Sequence, residues 1–182
     1  MNKNTNDLFH NGPETRSPGG TTTKVAFGLA VALAVALPMV AAARGHDISV
    51  AHGRQVSIIG GCNDCHTPGY DQSGGKLDPA KALIGSPVGW QGPWGTTYAV
   101  NIRRFSSKMT EDQFVHFAKT FKARPPMPLY NVHAMDVSDV RSLYRYVKSL
   151  GDPGPAMPSA LPPGVTPKTP YVVMAPPIMP KG

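Results

Sequence analysis

Residues 62–66 read Cys62-Asn63-Asp64-Cys65-His66, a C-x-x-C-H pentapeptide. Two thiols at this spacing can reach both vinyl groups of one haem, and a histidine that follows directly can present its imidazole to the iron. No other cysteine occurs among the 182 residues. The pentapeptide therefore predicts one covalently bound haem c, attached through Cys62 and Cys65, with His66 as the proximal iron ligand.

Three other kinds of site contain a similar pair of cysteines. A thioredoxin-like redox pair belongs in a βαβ unit, and no strand-rich run precedes Cys62. A Cys₂His₂ zinc site needs two closely spaced histidines, whereas the remaining histidines are scattered along the chain. A disulfide across only two intervening residues would restrain little of the unfolded chain. Each of these sites matches the sequence less well than haem attachment does.

The N-terminal region has the layout of an export signal. Residues 1–24 are polar, and residues 25–43 run without a charge. Pro38, followed by the small residues at 41–43, is typical of a secretory signal peptide with an A-x-A cleavage site. An uncleaved anchor is the alternative, because the apolar run is nearly long enough to span a bilayer. We therefore expect a periplasmic protein, held at the membrane only if this segment is retained.

Beyond that leader, at residues 1–43, the sequence predicts one domain at residues 44–151 and a Pro-rich tail at residues 152–182. The tail has no hydrophobic period, so we expect it to be an extended strap over the domain or disordered.

The chain is basic, with a net charge of +7. No block of Lys and Arg interleaved with aromatic residues occurs, so we do not expect nucleic-acid binding. A basic face suits docking of an acidic redox protein, because long-range charge raises the encounter rate. A basic surface that is merely solvated is the alternative.

Three segments of the predicted domain have helical periodicity. Apolar residues recur at near-helical spacing through residues 48–59, ahead of the cysteines. Thr110 and Gln113 form a capping box that begins an aromatic-faced helix, which we expect to end near Ala123. Asp136 is the predicted N-cap of a last helix, with Gly151 just beyond its end.

Residues 67–109 are rich in glycine and proline and have no long period, so we expect an irregular loop that packs against the haem. Three aromatic residues give this loop apolar area with polar tips that could reach a haem propionate: Trp90, Trp94 and Tyr98. Ordinary core packing is their alternative role. Arg103 and Arg104 are candidates to neutralise a propionate.

A six-coordinate haem needs a second axial ligand, which Met or His can supply. The candidates after the loop are Met109, His116, Met127, His133 and Met135. Met135 precedes an N-cap, where an apolar residue usually packs onto the first turn of the helix, so it has a structural role without any iron. Met127 lies between prolines and has no such role. We assign Met127 as the distal iron ligand, with Met135 as the fallback.

Residues 50–151 resemble class I c-type cytochromes, and in particular the haem modules in the cytochrome subunits of membrane-bound alcohol and gluconate dehydrogenases. The resemblance rests on these motifs: the pentapeptide at 62–66, Tyr98-x-x-Asn101-Ile102, the Met-Thr-Glu-Asp-Gln-Phe run at 109–114, Pro126-Met127-Pro128, and Leu143-Tyr144-x-Tyr146-Val147-x-Ser149-Leu150. It implies an all-α small cytochrome c fold wrapped around one haem, with long irregular loops and the Met between prolines as distal ligand. Two features differ: those subunits usually carry three such modules, and Arg103-Arg104-Phe105 stands where the family tends to continue with Thr-Pro.

These expectations describe an electron carrier and not an enzyme. The leading hypothesis is a monohaem cytochrome that carries single electrons in the periplasm, from a dehydrogenase to a terminal oxidase or another cytochrome. The alternative is a non-catalytic electron-transfer subunit of a membrane-associated dehydrogenase complex, strapped to its partner by the Pro-rich tail. A haem enzyme or gas sensor with an open iron is a third class.

Overall fold

The computed structural model describes residues 47–180, so the predicted leader at residues 1–43 lies outside the described residues. The helices are α1 (Val50–Ile59), α2 (Cys62–His66), α3 (Ile102–Ser106), α4 (Glu111–Thr120), α5 (Leu129–Ala134) and α6 (Val137–Ser149). The strands are β1 (Gly89–Gly92), β2 (Gly95–Tyr98) and β3 (Tyr171–Val173), and one 3₁₀ turn lies at Asp71–Ser73. No helix within residues 47–180 has the length and apolar character needed to cross a bilayer.

The hydrophobic core forms where α1 and α4 pack against α6. Its buried members are Val56, Leu83, Phe114, Ala118, Val140, Leu143, Tyr146 and Val147. Four of these lie on α6 at the spacing of one helical face, so α6 is the central element of the core.

The contact between α1 and α6 depends on a glycine. Gly53 is buried in the middle of α1, and a Cβ atom there would overlap the carbonyl oxygen of Ser142 and lie 2.8 Å from Cβ of Tyr146. The backbones of the two helices therefore approach more closely than any other residue at position 53 would allow.

The predicted ends of α4 and α6 are largely confirmed. Thr110 and Gln113 form the capping box, with the Gln113 N–H donating to Thr110 Oγ1 at 3.2 Å and the Thr110 N–H donating to Gln113 Oε1 at 2.9 Å. Helix α4 ends at Thr120 and not near Ala123, because Phe121 is already extended. Gly151 follows α6 with φ +77°, the left-handed conformation expected just past a helix end.

The prediction of an all-α fold is wrong, because a three-stranded mixed sheet in the order β2-β1-β3 accompanies the helices. β1 and β2 form an antiparallel hairpin that turns at Pro93 and Trp94, and β3 pairs parallel to β1. The hairpin lies in the segment that we expected to be an irregular loop. The backbone N–H and C=O groups of this segment need hydrogen-bond partners, and they find them in the hairpin itself and on the tail. The Gly-Pro-Trp-Gly turn, flanked by Trp, Thr and Tyr, was the local signal for the hairpin.

The tail wraps around the hairpin. At the outer edge of β2, the Thr96 N–H donates to the Leu161 carbonyl at 3.0 Å, and the Leu161 N–H donates back at 2.9 Å. The chain then passes one face of the hairpin, where the hydroxyl oxygens of Tyr98 and Thr169 are 2.9 Å apart. It finally joins the opposite edge as β3. The tail therefore lies against the domain as an extended strap.

Gly53→Ala is expected to destabilise the protein even though alanine is the better helix former. The gain in helix propensity is about 1 kcal/mol. Overlap with the backbone of α6 costs more, because overpacked cores lose about 1–3 kcal/mol and a backbone carbonyl cannot rotate away. We expect the free energy of unfolding to fall by about 2 kcal/mol, measured by urea unfolding.

The control is Val50→Ala, at an exposed position in the first turn of α1, which should change the free energy of unfolding by less than about 0.5 kcal/mol. A Gly53→Ala variant that is as stable as the parent would contradict the proposed close approach of α1 and α6.

Candidate haem-attachment site

The two cysteines lie on the short helix α2, which begins directly after Gly61. Gly61 has φ +67°, a left-handed conformation that reverses the chain between α1 and α2. Both cysteines are free, and the Cys62 side chain packs against the hydrophobic core. Helix α2 therefore presents two unpaired sulfur atoms one turn apart, as thioether attachment to a single ring requires.

A buried polar network fixes α2, and its central residue is Asn63. Its amide nitrogen donates to the Ser57 carbonyl at 2.9 Å, and its Oδ1 accepts from the Thr67 hydroxyl at 2.8 Å. Oγ1 of Thr67 in turn accepts from the Leu83 N–H at 2.9 Å. Asn63 is completely buried, so these bonds replace water on both ends of its amide. Sequence reasoning treated this residue as a spacer between the cysteines.

His66 is buried, and its ring is oriented by a backbone carbonyl. Nδ1 lies 2.7 Å from the Val100 oxygen, 34 residues further along the chain. Because a carbonyl only accepts, Nδ1 must carry the proton, which leaves the lone pair of the neutral imidazole on Nε2. Nε2 has no hydrogen-bond partner among residues 47–180. Burial also lowers the pKa of His66, which favours this neutral form.

The structure gives no support to the three other kinds of site, and the two cysteines are not joined in a disulfide. Burial raises the pKa of the Cys62 thiol to about 11 and also raises the pKa of Cys65, whereas a redox-active pair needs a lowered thiol pKa. No group of three or more His, Cys, Asp or Glu side chains that could hold a bare metal ion forms within residues 47–180. The Cys₂His₂ arrangement is therefore not assembled in the described part of the chain.

The two candidate methionines have different surroundings. Met135 packs against the core, and its Cε atom would lie 2.9 Å from a Cβ placed on Gly60. Its carbonyl accepts a hydrogen bond from the Lys119 ammonium. Met127 is partly exposed on the irregular segment before α5, and it is not among the residues packed against the core. Of these two methionines, only Met135 is thus among the residues packed against the core.

One face of the hairpin carries Trp90, Trp94 and Thr97. Register places Trp90 and Thr97 opposite each other on this face, and the Trp94 ring lies on it over Gly92. Nε1 of Trp94 and Oγ1 of Thr97 are buried but have no hydrogen-bond partner, as is Oγ1 of Thr96 on the opposite face. Two indole rings beside two unpartnered donors are groups of the kind that could line a flat apolar ring and bond to its carboxylates.

Tyr98 and Arg103, which the sequence offers as partners of a haem propionate, bond to other groups. Tyr98 bonds to Thr169 of the tail. Arg103 is buried, and its Nε donates to the Ala82 carbonyl at 2.6 Å and its Nη1 to the Leu150 carbonyl at 3.0 Å. Its Nη2 donates to the Pro79 carbonyl. Arg103 therefore joins the loop before β1 to the end of α6.

Arg103→Met should lower stability, because the apolar side chain keeps the bulk but leaves the buried Ala82 carbonyl and the part-buried carbonyls of Pro79 and Leu150 without their donor. Each such loss costs about 1–3 kcal/mol, so we expect a total of about 3 kcal/mol in the free energy of unfolding. Arg104→Met is the matched control; its side chain is exposed and should matter by less than about 0.5 kcal/mol. Equal unfolding curves for the two variants would disprove the structural role of Arg103.

Comparison with protein-family models, with curated proteins and with solved structures found no match for this chain. The resemblance to c-type cytochromes therefore stays a prediction from the sequence motifs, and the geometry of α2, His66 and the hairpin is the independent observation that bears on it.

Proposed function

We propose that this protein is a monohaem c-type cytochrome that carries single electrons. Cys62 and Cys65 would hold one haem c covalently, His66 would provide Nε2 as the proximal ligand, and Met127 would provide its thioether as the distal ligand. When bound, the haem would supply a one-electron iron couple, with both axial positions filled so that small molecules have no open site. The polypeptide itself would need no general base or nucleophile.

The observation that carries this proposal is the hydrogen bond between Nδ1 of His66 and the Val100 carbonyl. Histidines that bind metals characteristically donate their other N–H to a carbonyl or carboxylate, which fixes the tautomer and makes the ligating nitrogen more basic. Here that partner is 2.7 Å away and Nε2 has no other partner within residues 47–180. Nε2 is not one of the fully buried atoms, so it faces accessible space from which an iron atom could approach it.

Two further features support the proposal. Trp90, Trp94 and Thr97 form a face with unpartnered donors, and the strand that carries Thr97 ends just before Val100. The same short stretch of chain could therefore orient the imidazole and donate hydrogen bonds to a propionate. Met127 has no core contact to lose by ligating the iron.

The charge around Met127 suits an acidic redox partner. Residues 113–135 contain three cations and no acidic residue. Lys122 and Arg124 are exposed, while Lys119 is tied to the carbonyls of His133 and Met135. We propose that a dehydrogenase donor and an oxidase or cytochrome acceptor dock on this basic side, where opposite charge would speed their encounter. The apolar run at residues 25–43 supports a periplasmic location.

The alternative function is an electron-transfer subunit of a dehydrogenase complex. In that hypothesis the Pro-rich tail binds the catalytic partner. The tail instead pairs with the hairpin of its own chain. No described contact now favours this alternative over a freely diffusing carrier. The migration of the native protein on a sizing column would separate the two, since a carrier elutes at the size of one domain.

Full-length protein exported from cells that mature c-type cytochromes should be coloured and should keep its pigment on a denaturing gel stained for haem. The reduced spectrum should be that of a six-coordinate, low-spin haem and should not change with carbon monoxide, because both axial positions are filled. A protein that matures without pigment would rule out the proposed function. A carbon monoxide adduct would instead indicate an enzyme or gas sensor.

Met127→Ala should leave the haem attached but open one axial position, so that carbon monoxide now binds and the reduction potential falls, since a thioether favours ferrous iron. Met135→Ala is the control. It should keep the six-coordinate spectrum and lose about 2–4 kcal/mol of stability, because Met135 packs on the core. If Met135→Ala opens the iron and Met127→Ala does not, the assignment of the distal ligand is wrong.

A further inference from the structure

The Pro-rich tail contacts the segment that orients His66 at several separate points. This segment, residues 85–101, begins with Gly85 and ends just after Val100. The tail could have packed anywhere on the domain, but many of its hydrogen bonds to other parts of the chain end on this segment. These hydrogen bonds connect the tail to the part of the chain that contacts His66.

Tyr98 and Asn101 lie before and after Val100 in the chain, and each forms a hydrogen bond with the tail. On one side, the Tyr98 hydroxyl bonds to Thr169 at 2.9 Å. On the other, Nδ2 of the buried Asn101 donates to the carbonyls of Pro155, at 2.9 Å, and Pro153. The carbonyl that accepts from Nδ1 of His66 is thus held between two anchor points on the tail.

The tail also supports the main chain of His66. The Gly85 N–H donates to the His66 carbonyl at 2.8 Å. Gly85 has φ +86°, and a Cβ atom there would lie only 2.5 Å from Cγ of Met157 and 2.7 Å from the Ala99 oxygen. Met157 of the tail therefore packs directly on the turn that bonds to His66, so both the ring and the backbone of His66 depend on tail contacts.

We infer that the C-terminal tail is a positioning strap for the proximal histidine. By clamping Tyr98 and Asn101 it holds the Val100 carbonyl against Nδ1 of His66, which keeps Nε2 pointed at the haem and strengthens it as an electron donor. This inference rests on the proposed function. A strong donor stabilises ferric iron, so loosening the clamp should raise the reduction potential. A tail that only stabilises the fold would change the unfolding midpoint and leave the potential unchanged.

Asn101→Asp tests this inference in the full chain with a change of one group. The aspartate keeps an oxygen to accept from the Arg104 N–H, so the cap of α3 survives. It replaces the Nδ2 donor with an oxygen that repels the Pro153 and Pro155 carbonyls. A new negative charge alone would stabilise ferric iron and lower the potential, whereas release of the clamp raises it, so the sign of the shift separates the two effects.

The reduction potential of Asn101→Asp should be compared with that of the parent at neutral pH and again at alkaline pH, so that the new carboxyl is ionised during the comparison. We expect the ratio of reduced to oxidised protein at a fixed applied potential to rise up to about tenfold, which for a one-electron couple is about 59 mV. Asn131→Asp, on the exposed side of α5, is the control for charge and should not raise the potential.

An uncharged pair of variants guards against misfolding of Asn101→Asp. Tyr98→Phe and Thr169→Val, singly and together, remove only the hydroxyl contact and should each raise the potential, with little further effect when combined, because they break one bond. Thr166→Val, at an exposed tail position, is the control. Potentials equal to that of the parent in all these haem-loaded variants would overturn the inference alone. A parent chain that acquires no haem would overturn the proposed function as well.

Discussion

The arrangement of this protein depends on one hydrogen bond, between Nδ1 of His66 and the Val100 carbonyl. It joins the cysteine-bearing helix to a segment 34 residues away, and it decides which ring nitrogen carries the lone pair. The residues around each partner serve to keep the two in place. Asn63 and Thr67 fix the helix that carries His66, while Gly85, Tyr98 and Asn101 fix the segment that carries Val100. The His66 side of this bond is buried, whereas Val100 is half exposed, so the carbonyl must be held in place by the residues around it.

The hydrophobic core is built mainly by the helices. Helices α1, α4 and α6 build the core, and the packing of Gly53 against α6 fixes the direction in which α1 delivers the chain to Gly61 and the cysteines. The sheet and the tail are added on the side of the segment that carries Val100. The molecule thus has a helical core and a second part, the sheet and the tail, which contacts the segment bonded to His66.

The sequence predicted the helices because their signals are local. The capping box at Thr110 and Gln113, and the glycine after α6, act within a few residues of the ends that they define. The hairpin had a local signal in its Gly-Pro-Trp-Gly turn, but the rest of the sheet depends on remote contacts. Tyr98 and Thr169 are 71 residues apart, and β3 consists of three exposed residues that carry no alternating pattern.

The sequence predicts a chemistry for the candidate site, and that prediction stays untested, but it does not predict the residues that support the site. The order of Cys62, Cys65 and His66 is enough to predict haem attachment. Nothing local distinguishes Asn63 from a spacer, or Arg103 from a surface cation near a propionate, because the carbonyls that they bind come from distant loops. Buried polar groups of this kind are identified only when the fold brings their partners together.

The most direct test of the central claim is the intact mass of the exported full-length protein after extraction with acidified organic solvent. Addition of two thiols across two vinyl groups removes no atoms, so the account predicts a mass equal to the mature polypeptide plus one whole haem. The extra mass should stay with the protein through extraction and disappear in a variant in which both Cys62 and Cys65 are replaced by alanine. A mature protein with the mass of the polypeptide alone would contradict the account.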